Sequence, residues 1–481
     1  IVLSLALPAG VNAQEEGETN QEERLEGLKF TGLPLPSFND DIGFTYGARV
    51  IGTYYAEGYD PYQVQIWGQY LASTKGFEDH ALSIDALNFL GSGLRVRMRG
   101  GFSRTLNAQY YGFGNFQDIQ QIERISSGEV PVGDNIPRTR SIQEGQYLAT
   151  ETGLQPYLDD KFGEEFNLNE NILTDFPGSL QDGTAINPGR RVLRERQNKY
   201  FFYDRTRPYV EATTENFIGD SNFLRFAGLR GQRYKIQSYF DVRDDGEAEP
   251  NSQTLVDVEQ PFGYDAIETD DRRFVNGVRV ALGYDSRPRL RENNPNAGIF
   301  TDVHYETVGE WTGSHYDFQR LTVTWRQYID IFPSFFNSFG DELVLAYRVL
   351  GQETFGDVPF FEAGRIYNVN PNEGSEGLGG SGGLRGYPSN QFVDKVMTMA
   401  NIEGRYTFSR VSWLGGIDWQ VMYFYGIGRV APGWQGWAPR GMHKAWGPGF
   451  ALVWQRNTIV TVFAGQSEFQ RFTAFRLSHN F

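Results

Sequence analysis

Most of this chain consists of segments in which apolar and polar residues alternate, separated by turn residues. In residues 473–481, for example, Phe475, Leu477 and Phe481 share one face, while mostly polar residues fall between them. Successive residues of a β-strand point to opposite faces, so the pattern predicts strands with one apolar face. Fifteen such strands are predicted, at residues 42–56, 62–73, 80–90, 94–105, 201–213, 223–240, 273–285, 299–311, 317–332, 342–350, 393–408, 417–430, 450–454, 458–465 and 469–481.

Long strands with mostly short connections and no extended amphipathic helix favour a closed barrel, because closure leaves no sheet edge exposed. The mean hydropathy of -0.47 and the aromatic content of 15% suit a transmembrane barrel, whose polar lumen face dilutes the hydrophobicity of each strand. Single-chain bacterial barrels have even strand counts. We therefore expect an all-β, antiparallel transmembrane barrel of sixteen strands, with the strand still missing from the prediction inside residues 106–198.

Charge and composition argue against several other classes of protein. The formal net charge is -16, whereas nucleic acid requires a concentrated positive surface, so we expect no nucleic-acid partner. The chain has no cysteine, and its five histidines lack metal-ligand spacing; we therefore expect no metal and no other cofactor. It shows no serine in a strand–turn–helix nucleophile elbow and no carboxylate isolated in apolar surroundings, so we expect no enzymatic activity.

The N-terminal composition predicts export. Residues 1–13 form a short apolar run ending in Val11-x-Ala13, typical of a signal-peptide remnant. Residues 14–41 are acidic and then proline-containing, which predicts a flexible periplasmic lead before a barrel at 42–481. Two charge-dense insertions, 116–198 and 241–271, are expected to be solvated loops.

A glycine-rich connection at residues 351–392 contains the sharpest motif. Its glycines formally satisfy G-x-G-x-x-G, but Pro388 and then a strand follow, where a dinucleotide site requires a helix. The connection continues as Leu384-Arg385-Gly386-Tyr387. Flexibility alone does not explain an arginine beside an aromatic residue at the tip of a glycine loop.

These residues resemble the V/L-R-G-F/Y signature of the BamA/TamA superfamily of outer-membrane barrels. The resemblance covers roughly residues 35–481 and includes the terminal Phe481, which is similar to the C-terminal signal of such barrels. Three further segments agree with the family: Asp285-Ser286-Arg287 with Pro295 and Gly298, resembling its D-S/T-R…P-x-x-G turn; residues 110–115, resembling F-Y-G-x-G-N; and Glu403 on the strand after the loop.

The resemblance implies that loop 351–392 folds into the lumen and that Arg385, Gly386 and Tyr387 form a latch with acidic residues of the wall. Strand parity places Glu403 and Arg405 on the inward face. The family's next strand carries an aspartate where this chain has Gly426. Asp418 shares the inward face of that strand, some ~26 Å from Gly426 at ~3.3 Å per residue, and is the candidate substitute in the latch.

The expected function is insertion, assembly or translocation of envelope proteins in the bacterial outer membrane. The barrel would contact lipid and lipopolysaccharide, and residues 14–41 are too few for a POTRA domain, so separate periplasmic partners are expected. The expected mechanism uses a weak seam between strands 42–56 and 469–481. The alternative is a channel plugged by loop 351–392.

Overall fold

A computed structural model describes most of the chain. The described residues are 27–39, 42–59, 62–112, 202–237, 273–288, 294–367, 375–411, 417–437, 442–454, 458–467 and 471–476, together with Val256, Val369 and Pro439.

Strands dominate the described residues. They are β1 Gly27–Pro34, β2 Ser37–Asn39, β3 Gly43–Tyr55, β4 Val64–Ser73, β5 Phe77–Ala86, β6 Arg95–Gln109, β7 Phe202–Phe217, β8 Phe223–Gln237, β9 Arg273–Asp285, β10 Gly298–Val308, β11 Phe318–Asp330, β12 Glu342–Gly356, β13 Arg365–Ile366, β14 Ser375–Glu376, β15 Val396–Val411, β16 Ile417–Ala431, β17 His443–Trp454, β18 Thr458–Ser467 and β19 Arg471–Arg476. Helical structure is limited to single turns, at Phe89–Gly91, Glu310–Thr312, Pro333–Phe336, Asn337–Phe339, Phe360–Ala363 and Trp434–Gly436.

The strands other than β13 and β14 form one antiparallel sheet. Each strand from β2 to β12 pairs with the next, β12 pairs with β15, and β15 to β19 continue in sequence. Ala474 of β19 then lies opposite Asn39 of β2. The pairings therefore return to their starting strand and form a barrel.

β1 and β2 are two parts of a single strand. Pro34 lies opposite Ala48 and Ser37 opposite Thr45, which is the same register against β3. Pro36 lies between them and has no N–H to donate to the ladder. Counted together, they make the 17-stranded sheet a barrel of sixteen strands, as predicted.

Two sequence-based expectations are corrected here. Residues 27–39 belong to the barrel wall and not to the flexible lead predicted at 14–41. They also supply the sixteenth strand, which was expected inside 106–198. The strand was missed in the sequence because of its proline residues. Its outward Leu28 and Phe30 are 57% and 73% exposed, as are outward residues of the other lipid-facing strands.

The faces of the strands follow the predicted parity. On β15 and β16, Ile402 and Tyr423 point outward and are exposed, whereas Glu403 and Arg405 point inward and are buried. Similar exposed apolar residues occur on most strands, which forms an outward surface suited to lipid. Within the described residues, no helix is both long and apolar enough to cross a membrane.

The longest connections leave the same edge of the barrel. Antiparallel order places the ends of β6, β8 and β12 at one edge, whereas the connections at the other edge, the short-turn edge, are all shorter than these three. Short turns face the periplasm in bacterial barrels, while long loops are extracellular. The predicted insertions, 116–198 and 241–271, lie outside the described residues apart from Val256, but the strands that flank them end at the edge from which loop 351–392 departs.

Candidate functional site in the barrel lumen

The connection between β12 and β15 folds into the barrel. Its Leu378, Leu384, Tyr387 and Phe392 have no exposed surface and pack in one cluster with inward residues of the wall. The predicted lumen loop is therefore present. We call residues 357–395 the lumen loop.

Two glycines allow the loop to lie directly against the wall. A Cβ atom at Gly465 of β18 would overlap the carbonyl oxygen of Arg385. Gly380, in the loop itself, has a φ of +75°, a conformation that L side chains rarely adopt. Loop and wall thus meet backbone to backbone, and larger side chains would hold them apart.

Arg385 points to the inward face of β15 and β16. Its Nη2 donates to Glu403, and Nε of Arg405 donates to the other carboxylate oxygen of Glu403 at 2.9 Å. The Arg385 guanidinium also lies over the ring of Phe424, with its carbon 3.7 Å from the ring centre. All of these groups are nearly or fully buried. Glu403 therefore holds two arginines, and an aromatic ring covers the first.

Asp418 lies elsewhere, which corrects its inclusion in the latch. It is in register with Arg410 near the opposite end of β15, whereas Glu403 is in register with Phe424. The family's aspartate position, Gly426, has a different use here. A Cβ at Gly426 would lie 2.6 Å from the amide nitrogen of Asn401 and 3.2 Å from Leu384. The missing side chain makes room for the loop, and Phe424 contacts Arg385 from the same strand.

Gly386 and Tyr387 complete the tip of the loop. A Cβ at Gly386 would lie 2.8 Å from the backbone of Gln466. The Tyr387 ring packs edge-on against Phe392 and His443, with ring centres 4.9 Å and 6.0 Å away. These three contacts fix the direction in which Arg385 leaves the backbone.

A second anchor lies near the start of the lumen loop, and the sequence analysis missed it. Glu362, in the helical turn Phe360–Ala363, is fully buried. Nη2 of Arg230 donates to its carboxylate at 3.0 Å, and Nη2 of Arg320 donates to its carbonyl oxygen at 2.8 Å. Arg230 and Arg320 also both pair with Glu306 of β10.

The local sequence did contain a signal for this anchor. Glu362 stands between Phe361 and Ala363. It is a carboxylate in apolar sequence surroundings, and the sequence analysis found no such residue. A charged residue in such a position is stable only when a partner reaches it. One partner, Arg365, lies three residues away in sequence and 3.2 Å away in space. The other two come from β8 and β11, which are distant in sequence, so those pairings were not predictable.

The predicted family turn forms at the short-turn edge. Nη2 of Arg287 donates to Asp285 at 2.8 Å, and its guanidinium carbon lies 3.9 Å from the ring centre of Phe300. Gly298 has a φ of +96°, and a Cβ there would lie 2.6 Å from the carbonyl oxygen of Ser286. Pro295 is buried beside this turn. The described residues of this turn stabilise the β9–β10 connection through these contacts.

Other predicted motif residues are only partly described. Tyr110, from the segment 110–115, is buried with its ring centre 4.9 Å from that of Phe360 in the lumen loop. Residues 113–115 lie outside the described residues. Phe475 belongs to β19, while Leu477 and Phe481 lie outside the described residues, so the C-terminal signal stays a prediction.

The lumen contains charged groups but shows no metal site. Within the described parts of the chain, no three histidine or acidic residues are placed to hold a metal ion. The arrangement of salt bridges around the lumen loop is that of a structural clamp, since Glu403 and Glu362 are both bound by arginines.

Comparisons with known proteins bear on the fold. No family model matches this chain, and no curated protein matches it. Among solved structures it is similar to BamA from Haemophilus ducreyi lacking POTRA domains 1-3, at 11% identity and a TM-score of 0.48, over 94% of this chain and 70% of that one.

The chain is also similar to two CdiB structures. For CdiB from Acinetobacter baumannii the identity is 9% and the TM-score 0.42, over 94% of this chain and 59% of that one. For CdiB from Escherichia coli the values are 8% and 0.46, over 93% and 62%. This chain thus spans less than two thirds of either CdiB chain. At this level the likeness concerns fold and not activity.

Proposed function

We propose that this chain is an outer-membrane barrel that takes part in the insertion, assembly or translocation of envelope proteins, together with separate periplasmic partners. We also propose that it performs no catalytic step and that its outward apolar surface contacts lipid and lipopolysaccharide. The observation that carries the proposal is the seam between β2 and β19.

Within the described residues, which do not include residues 40–41, 468–470 and 477–481 beside it, the seam is the shortest strand pairing. Only Ala474 and Asn39 are in register there. The neighbouring β18–β19 pairing has six registered pairs, and β15–β16 has fifteen. The seam was expected beside strand 42–56, but the strand that meets β19 is the one formed by β1 and β2.

A strand edge at which the barrel can open provides the chemistry that this function requires. Unpaired backbone N–H and C=O groups accept an incoming strand by β-augmentation. Pro36 reduces the pairing capacity of the first strand further, because it has no N–H. A client strand would therefore compete for this edge with the pairing between β2 and β19.

The test is a reversible lock of the seam. The chain has no cysteine, so Asn39→Cys with Ala474→Cys introduces a single possible disulfide between two register partners. Antiparallel partners have Cα atoms about 4.5–5.5 Å apart, within disulfide range. The matched control is Ala451→Cys with Thr461→Cys, which are register partners on β17 and β18.

The readout is the rate at which a urea-denatured eight-stranded outer-membrane barrel becomes heat-resistant in vesicles containing this protein. We expect the oxidised seam lock to reduce the rate to that of empty vesicles and a reductant to restore it. The oxidised control lock should leave the rate unchanged. If the unlocked protein gives no acceleration, or if the seam lock has no effect, the proposed function is wrong.

A further inference from the structure

A series of arginines and aromatic rings crosses the lumen wall formed by β3 to β7. The guanidinium carbon of Arg49 lies 4.3 Å from the ring centre of Trp67, and that of Arg99 lies 5.4 Å from the same ring. Arg99 and Arg207 lie 5.5 Å and 5.0 Å from the ring centre of Tyr209. We call these five residues the arginine ladder.

The register of the strands produces the ladder. Trp67, Ser83 and Arg99 are opposite one another on β4, β5 and β6, and Tyr209 on β7 lies two residues along from the position opposite Arg99. Ser83 is small, so the side chains on either side of it can meet. Because neighbouring strands are ~4.8 Å apart, the ladder extends across roughly 19 Å of the wall.

The ladder has more positive than negative charge. Asp79 accepts hydrogen bonds from Arg99 at 3.4 Å and Gln69 at 3.0 Å. Arg49 donates to the amide oxygen of Gln69, and among the described residues no carboxylate oxygen lies within 4.0 Å of it. The nearby Glu211 lies 3.6 Å from Arg279 of β9. This local excess of positive charge contrasts with the net charge of -16 of the whole chain.

The ladder is accessible from the lumen. The Arg99 side chain is 39% exposed, while those of Arg320 and Arg405 beneath the lumen loop are fully buried. Nε of Arg99 is itself buried and has no hydrogen-bond partner in the described structure, so the exposed surface of this side chain lies at its other atoms. A guanidinium whose face lies on an aromatic ring keeps its N–H edge for planar oxyanions.

We propose that the arginine ladder binds multivalent oxyanions, that is, ligands carrying several phosphate or carboxylate groups. Successive arginines would each bind one oxyanion group, with hydrogen bonds that are charge-assisted and bidentate. The rings of Trp67 and Tyr209 hold the guanidinium groups apart at a fixed spacing. This is a binding activity separate from the seam and from the latch at Arg385.

The test is titration calorimetry on the intact chain, folded in neutral detergent at low ionic strength. The two probes are inorganic tripolyphosphate and the tricarboxylate tricarballylate. Arg99→Gln should weaken binding by roughly tenfold or more, because it removes a charge-assisted hydrogen bond. Arg99→Lys keeps the charge but loses the planar edge, so its loss should be smaller.

The matched control is Arg104→Gln, which makes the same change on the exposed, outward face of β6. It should leave the affinity unchanged, and heat-modifiable mobility should show that all variants are folded. Binding of only one probe would identify phosphate or carboxylate as the ligand group, and binding of both would support the general proposal. If wild type binds neither probe, or if Arg104→Gln weakens binding as much as Arg99→Gln, the proposal is wrong.

Discussion

The two sides of the lumen wall contain similar residues in different surroundings. On β3 to β7, Arg97 lies 2.9 Å from Glu215, and both side chains remain partly exposed. On β8 to β18, Arg230 lies 3.0 Å from Glu362, and both are fully buried. The difference comes from the lumen loop, which covers the second side and supplies Glu362 itself.

This comparison shows that burial, and not location on the lumen wall as such, determines how much an ion pair contributes to the free energy of unfolding. An exposed pair stabilises a protein by about 0–1 kcal/mol, because water screens it. Removing one partner of a buried pair costs about 3–5 kcal/mol, because the other charge is left desolvated and unpaired. The side under the lumen loop should therefore determine stability, and the side at β3 to β7 should be free to bind ligands.

The largest expected effect follows from removing Glu362. Glu362→Ala removes one of the two buried carboxylates, Glu362 and Glu306, that Arg230 and Arg320 share, so we expect a loss of about 3–5 kcal/mol in the free energy of unfolding. Glu215→Ala should cost less, because its partner Arg97 stays partly exposed and also pairs with Asp85. Unfolding of both variants by guanidinium chloride in lipid vesicles measures the difference between the two losses. Equal losses would refute the contrast between the two sides.

A smaller effect is expected from adding one methyl group where loop and wall touch. Gly465→Ala would place its Cβ against the backbone of Arg385, and we expect overpacking to cost about 1–3 kcal/mol. Gly68→Ala on β4 is the control, because no atom lies within 4 Å of a Cβ there. Its effect should stay within about 0.5 kcal/mol. Unfolding by guanidinium chloride measures both variants. If Gly465→Ala leaves the free energy of unfolding unchanged, the loop does not touch the wall at that point.

Alternation alone predicted much of this fold. All fifteen predicted strands coincide with observed ones, and parity placed Glu403 and Arg405 on the inward face. These successes depend on local periodicity, which a barrel preserves along every strand. The strand at 27–39 was missed because Pro34 and Pro36 are typical of turns, although an edge strand or a break in a strand also tolerates proline.

The lumen site was less predictable, because its contacts join distant segments. Arg385 and Glu403 could be paired through the family resemblance, and the structure joins them. Asp418 satisfied parity but lies near the wrong end of its strand. Neither the β8 and β11 partners of Glu362 nor the alignment of Trp67 with Arg99 follows from a local pattern, since both depend on the register between strands.

The most direct test of this account compares two threonines on opposite sides of the lumen. Thr213 of β7 faces the lumen and is half-buried, whereas Thr322 of β11 is completely buried beneath the lumen loop. Because the chain has no cysteine, Thr213→Cys and Thr322→Cys each give a single thiol for a water-soluble maleimide. We predict that Cys at 322 reacts roughly tenfold or more slowly than Cys at 213 in the folded protein, since burial limits access to the thiol. Equal rates in folded protein would contradict the account.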